Sequence, residues 1–275
     1  MIMPLNEDTH MQCTNSATID HLSSGLQDWK AHMDMGRLAF KNGFFKAASR
    51  NYRTAMSIVD NLNLGDELRA CTLLRVAQCE LKLGMLKEAE SSFKEVLRFD
   101  QIHTGQHGYD VAIDMSELAM LYVKVGGLGQ AEDLLKEAVR TLERLQAPTA
   151  PAHIEALKNL GIVHCREGHL DDAEKCLNRA ICLCANFGCD TQLYPKILAA
   201  MSALAAERGK LDEASDLIEQ AIEKLELATG GQHPDLADIL DLAADILSRS
   251  GRESEVQALA DRAKHIRLHM QKVDN

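Results

Sequence analysis

Apolar and small residues recur along this chain with two superimposed periods. The short period is helical. Met115, Leu118, Ala119, Tyr122 and Val125 follow i, i+3, i+4, i+7 and i+10, and Leu128, Ala131, Leu135, Ala138 and Leu142 then advance by three or four positions at a time. The long period is set by six glycines, Gly43, Gly84, Gly126, Gly168, Gly209 and Gly251, whose separations are 41, 42, 42, 41 and 42 residues. Seven positions before each glycine stands a small residue: Gly36, Ala77, Ala119, Gly161, Ser202 or Ala244. Five positions after it stand Ala48, Ala89, Ala131, Ala173, Ala214 and Val256, and nine after it Tyr52, Phe93, Leu135, Leu177, Ile218 and Ala260. Small residues at fixed register mark places where two helix backbones approach closely, with a larger apolar partner one turn away. Each unit therefore reads as helix, glycine turn, helix, the glycine supplying the left-handed conformation that ends the first helix.

The pattern predicts helix pairs over about 25–62, 66–101, 109–146, 151–187, 193–228 and 234–271, forming one domain over 21–275. Residues 1–20 are polar and unpatterned and are expected to be a disordered N-terminal tail. In the last helix Leu259, Ala263, Ile266 and Met270 form one apolar stripe, with Arg262, Lys264, Arg267 and Lys272 off it, as expected of a cap beyond which no repeat stacks.

The skeleton in "GRLAFKNGFFKAASRNYRTA" and "LAMLYVKVGGLGQAEDLLKEA" resembles the tetratricopeptide repeat (TPR) over residues 28 to about 268. The usual period is about 34, and the longer one here is similar to the 42-residue, kinesin-light-chain-like subtype. The connections "GQHGYDVA" (105–112) and "GQHPDLA" (231–237) resemble that subtype's lead-in to each repeat. The resemblance implies an all-α fold, a right-handed α-solenoid of six helix-turn-helix repeats with a terminal capping helix. It also implies that the first helix of each unit lines a concave groove. Association with a motor does not follow, because the chain carries no heptad coiled coil. The basic and amide residues of the chaperone-tail clamp are missing too, since the matching places hold Met33, Arg37, Arg75, Ile113 and Glu117.

Composition narrows the function. Net charge is −11, which argues against a general nucleic-acid binder. No apolar run approaches the about 20 residues of a membrane span, and the polar start carries no secretory pattern. Eight cysteines in 275 residues are too sparse for a disulfide scaffold, so a reducing, cytoplasmic setting is expected. Phosphate-loop, nucleophile-elbow and zincin motifs are all missing, so no enzyme and no cofactor is expected. The fourth unit gathers Cys165, Cys176, Cys182, Cys184 and Cys189 near His164 and His169, but the spacings lack a Cys-x-x-Cys pair. These read as buried structural cysteines, with no metal site. His265 and His269, and His103 and His107, read as surface pairs.

The functional expectation rests on the groove. Arg37, Lys41, Leu74, Arg75, Gln78, Lys82, Met120, Lys124, Lys158, Asn159, Ile162 and Arg166 are the predicted groove residues of units one to four. Lys41, Lys82, Lys124 and Arg166 also sit in last helical turns, where a cation suits the helix dipole, whereas Arg37, Arg75 and Lys158 are mid-helix and ask for another reason. An apolar groove with scattered cations suits a protein or peptide segment carrying acids beside an apolar anchor. The chain is thus expected to be a non-catalytic interaction scaffold or adaptor. One alternative is a structural subunit that self-associates head to tail, because residues 28–61 carry six bases against three acids and residues 207–261 fourteen acids against five bases. Another is a regulatory sensor of a signalling peptide.

Overall fold

A computed structural model describes residues 7–145 and 150–274, with side chains from His21 and, in the second segment, from Pro151. Twelve helices run in order: α1 (Glu7–Lys41), α2 (Phe45–Leu62), α3 (Asp66–Lys82), α4 (Leu86–His103), α5 (Tyr109–Val125), α6 (Leu128–Arg144), α7 (Ala150–Arg166), α8 (Leu170–Phe187), α9 (Leu193–Glu207), α10 (Leu211–Thr229), α11 (Pro234–Arg249) and α12 (Glu253–Val273). Each helix packs on the next, and the odd-numbered helices from α3 to α11 also touch one another in succession. The result is an all-α repeat solenoid with odd helices inside and even helices outside. Among the described residues no helix is long and apolar enough to cross a membrane.

The glycine register is realised in the backbone. All six turn glycines have φ between 75° and 84°, and the turn after α5 shows why. Gly127 N–H returns to Tyr122 O at 2.9 Å and Gly126 N–H to Val123 O, which satisfies two carbonyls at the helix end. The small residues seven positions earlier are sites of close approach. A Cβ on Gly36 would lie 2.5 Å from the Tyr52 ring, and one on Gly161 2.8 Å from Leu177 Cγ. Tyr52 and Leu177 belong to the column nine residues after each glycine, which is buried from the first unit to the fifth.

Two expectations are corrected. The first helix does not begin near residue 25. Helix α1 runs from Glu7, so residues 7–20 of the expected tail are helical, and residues 1–6 lie outside the described residues. No proline or glycine between Asn6 and Ser24 interrupts it, and polar sequence alone does not stop a helix. The second concerns the terminal helix, which has a neighbour after all. The solenoid curves until its first repeat meets its last. Phe44, in the α1–α2 turn, packs on the core formed by α9–α12, and a Cβ on Gly43 would lie 2.3 Å from Pro234 Cδ. Helix α2 has no local side-chain cap and no acid in its first turn. Asp274, just beyond α12, supplies both, accepting from Lys46 N–H at 2.7 Å and Ala47 N–H at 2.8 Å.

Candidate functional site

Curving the inner helices into a near-ring leaves a cavity of about 1270 Å³ between α3, α5, α7, α9 and α11, with the last turns of α4. Leu74, Met120, Ile162 and the bare alanine face of α9 (Ala199, Ala200, Ala203) supply apolar wall. Of the other residues assigned to the groove, Arg75, Gln78, Lys82, Lys124, Lys158, Asn159 and Arg166 line this cavity. Arg37 and Lys41 do not. Arg37 is largely exposed and paired with Asp34 at 2.9 Å. Lys41 lies at the seam of the ring, its ammonium 3.8 Å from Asp190 and its carbonyl accepting from His233 Nε2 at 3.1 Å. Closure turns the end of α1 toward α9 and α11, so the first repeat forms seam instead of cavity wall.

The seam is electrostatic as well as apolar. His233 caps α11 by accepting Asp235 N–H at Nδ1, which leaves Nε2 as the donor to Lys41 O. Its burial pushes the imidazole down and keeps it neutral. The Asp235 carboxylate bridges Lys82 of α3 at 3.1 Å and Lys196 of α9 at 2.5 Å. Burial opposes ionisation of Asp235, but Lys82 and Lys196 outweigh it and hold the carboxyl well below the usual carboxylate range. The lead-in sequence thus divides two tasks between its polar residues. His233 is the helix cap and Asp235 is the bridge.

Most cations of the wall have partners. Arg75 is half-buried and donates to Gln78 Oε1 at 3.0 Å. Gln78 in turn donates to Glu117 Oε1 at 2.8 Å and so ties α3 to α5. Lys158 is buried against Glu155 at 3.3 Å, and burial pushes its ammonium down. Arg166 reaches Val123 O at the end of the preceding inner helix. Arg249 makes the equivalent bond to Ala206 O at 2.5 Å. These last-turn cations therefore cap the neighbouring repeat's helix, a partner one repeat away rather than their own dipole. Lys124 differs. It is exposed, no carboxylate among the described residues lies within ion-pairing distance of it, and its ammonium is pushed down by partial desolvation and by the like charge of Lys82. Asn159 is also buried with its Oδ1 unpaired.

A buried acid pair at the α4–α5 end of the cavity escapes the sequence reading. Asp114 is 1% exposed, and burial, reinforced by a hydrogen bond shared with Asp100, pushes its carboxyl up to about 9. The cysteine expectation holds in part. All seven described thiols are free, yet in the fourth unit only Cys184 is fully buried, while Cys165, Cys176 and Cys189 are half-buried and Cys182 is exposed on the outer face of α8.

Paired helices in six units, wound around a cavity with a charged and apolar wall, define a tetratricopeptide-type repeat protein, the architecture of protein-interaction scaffolds. Residues 35–229 match the family model of the MalT-like TPR region, and the chain belongs to that family. It is 23% identical over 211 residues to Protein KINESIN LIGHT CHAIN-RELATED 1 of Arabidopsis thaliana, covering 74% of this chain and 34% of that protein. The chain thus spans about a third of that relative's length. Among solved structures, the Rap conjugation gene regulator of plasmid pLS20 in complex with the Phr* peptide aligns with a TM-score of 0.73 at 16% identity, over 90% of this chain and 64% of that one. A Rap protein complexed with Competence and Sporulation Factor gives 0.69 at 16% identity, over 90% and 66%. At these identities the structural likeness is one of fold.

Proposed function

We propose that the chain is a non-catalytic scaffold that captures a peptide segment inside its ring, with a carboxylate of the peptide on Lys124 and apolar side chains against Leu74, Met120 and Ile162. The observation that carries this reading is the Lys124 ammonium on the cavity wall, with no carboxylate among the described residues within ion-pairing distance of it. Lys124 is exposed on the cavity wall, and an incoming peptide carboxylate gives it a charge-assisted hydrogen bond that no side chain of the wall supplies. The unpaired Asn159 amide oxygen adds an acceptor suited to a peptide N–H after a small side-chain rotation. Rap proteins solved with the Phr* peptide and with Competence and Sporulation Factor share this fold and support the reading, including its variant as a sensor of a signalling peptide.

Fluorescence anisotropy with a library of short peptides carrying one acid beside apolar residues tests it. Binders are expected, and Lys124→Glu should weaken them about tenfold or more by turning an attraction into a like-charge clash. Arg98→Glu, on the exposed face of the outer helix α4, should leave affinity alone. Equal affinity of wild type and Lys124→Glu would remove the reading.

A further inference from the structure

The third and fourth repeats bring together four side chains that the cavity does not use. Glu132 projects from the outer helix α6. His164 comes from the last turn of α7, and Glu167 and His169 flank Gly168 in the α7–α8 turn. One donor atom from each lies within 4.8 Å of the others. His164 Nδ1 stands 3.4 Å from Glu132 Oε1, and His169 Nδ1 stands 3.7 Å from Glu167 Oε2.

Two of these atoms are unexplained by the fold. His164 is 5% exposed, and its Nδ1 has no hydrogen-bond partner; Glu167 Oε2 is likewise buried and unpaired. His164 Nδ1 and Glu132 Oε1 thus face one another at 3.4 Å without a hydrogen bond, a spacing that fits two ligands of one metal ion. Lys136 serves only the outer side of the cluster, pairing with Glu132 at 2.7 Å from a half-exposed position.

We propose that Glu132, His164, Glu167 and His169 form a divalent-metal site with zinc as its occupant, fastening α6 of the third repeat to the turn of the fourth. Two imidazole nitrogens and two carboxylates are a borderline donor set that suits zinc better than magnesium or calcium, which take oxygen alone. Tetrahedral zinc with bonds of about 2.0–2.2 Å places its ligand atoms about 3.3–3.6 Å apart, so the two closest pairs are near final spacing and the rest need only side-chain rotation. Two carboxylates and two neutral imidazoles also cancel the metal's charge in this half-buried position.

The test uses the full chain, stripped with a chelator and titrated with zinc by calorimetry and with cobalt(II) by visible absorption. The expected result is one equivalent of zinc, a rise in melting midpoint on binding, and the intense ligand-field bands of tetrahedral cobalt. His169→Ala and Glu132→Gln, neither of them at a fully buried position, should each keep the helical circular dichroism and weaken zinc about tenfold or more. A His265→Ala/His269→Ala variant on α12 should bind as wild type does. No saturable uptake would overturn the proposal. So would uptake that survives both single substitutions, or uptake lost on alkylating the thiols, which would move the metal to the cysteines.

Discussion

Asp114 shows how one residue can depart from the repeat and remain tolerated. The position twelve before each turn glycine is a buried column holding Thr72, Ala156, Ile197 and Ile239 in other repeats. A carboxyl there is disfavoured as an anion, and Asp100 across the α4–α5 contact shares its proton. The folded chain keeps that proton to about pH 9, whereas an unfolded aspartate releases it near about pH 4. The folded state therefore binds more protons between those values, and its stability falls as pH rises through the window. The melting midpoint of the wild type should drop between about pH 5 and pH 9, and Asp114→Asn, which holds no ionisable proton, should flatten that slope. An unaltered slope would assign the dependence to other groups. The anomaly is visible in the sequence once the column is aligned, since only Asp114 among those residues is charged. Its partner Asp100 is not, because it comes from an outer helix in a different register.

Elements were legible where neighbours in sequence decide them. The turn glycines, the small residues before them and the buried columns after them are all local to one helix pair, so helix ends fall within a few residues of their expected places from Asp66 to Val273. Helix α1 was misjudged because a helix start is marked by capping residues and an apolar stripe, and a polar extension shows neither. Gly126 and Gly43 separate local strain from long-range contact. Both have positive φ, but space around Gly126 is open, whereas Gly43 lies against Pro234. Gly126→Val should cost about 1–2 kcal/mol from left-handed strain alone, a drop of about 2–8 °C in melting midpoint. Gly43→Val should lose more, because a side chain there also pushes the sixth repeat away. Equal losses would mean that the first and sixth repeats do not touch in solution.

At the scale of the molecule, the cavity depends on closure. A solenoid of the same six repeats left open would present Leu74, Met120 and Lys124 on a shallow curve, and Lys82 would lose its partner Asp235, which would keep only Lys196. Closure rests on residues far apart in sequence: Gly43 with Pro234, Lys41 with His233, Asp274 with the start of α2. No periodicity within a repeat encodes such contacts, which is why Leu74 through Arg166 could be placed on the inner face while Arg37 and Lys41 were assigned to a groove that they do not line. The same reason hid the Glu132–His164 contact, which crosses from one repeat to the next. The most direct test of the account is small-angle X-ray scattering of the wild type beside a His233→Ala/Asp235→Asn/Asp274→Ala variant. A closed ring predicts a wild-type radius of gyration close to the about 19 Å of a compact chain of this length, and a larger value for the variant at unchanged helical content. A wild type already as extended as the variant would contradict closure and, with it, the enclosed cavity.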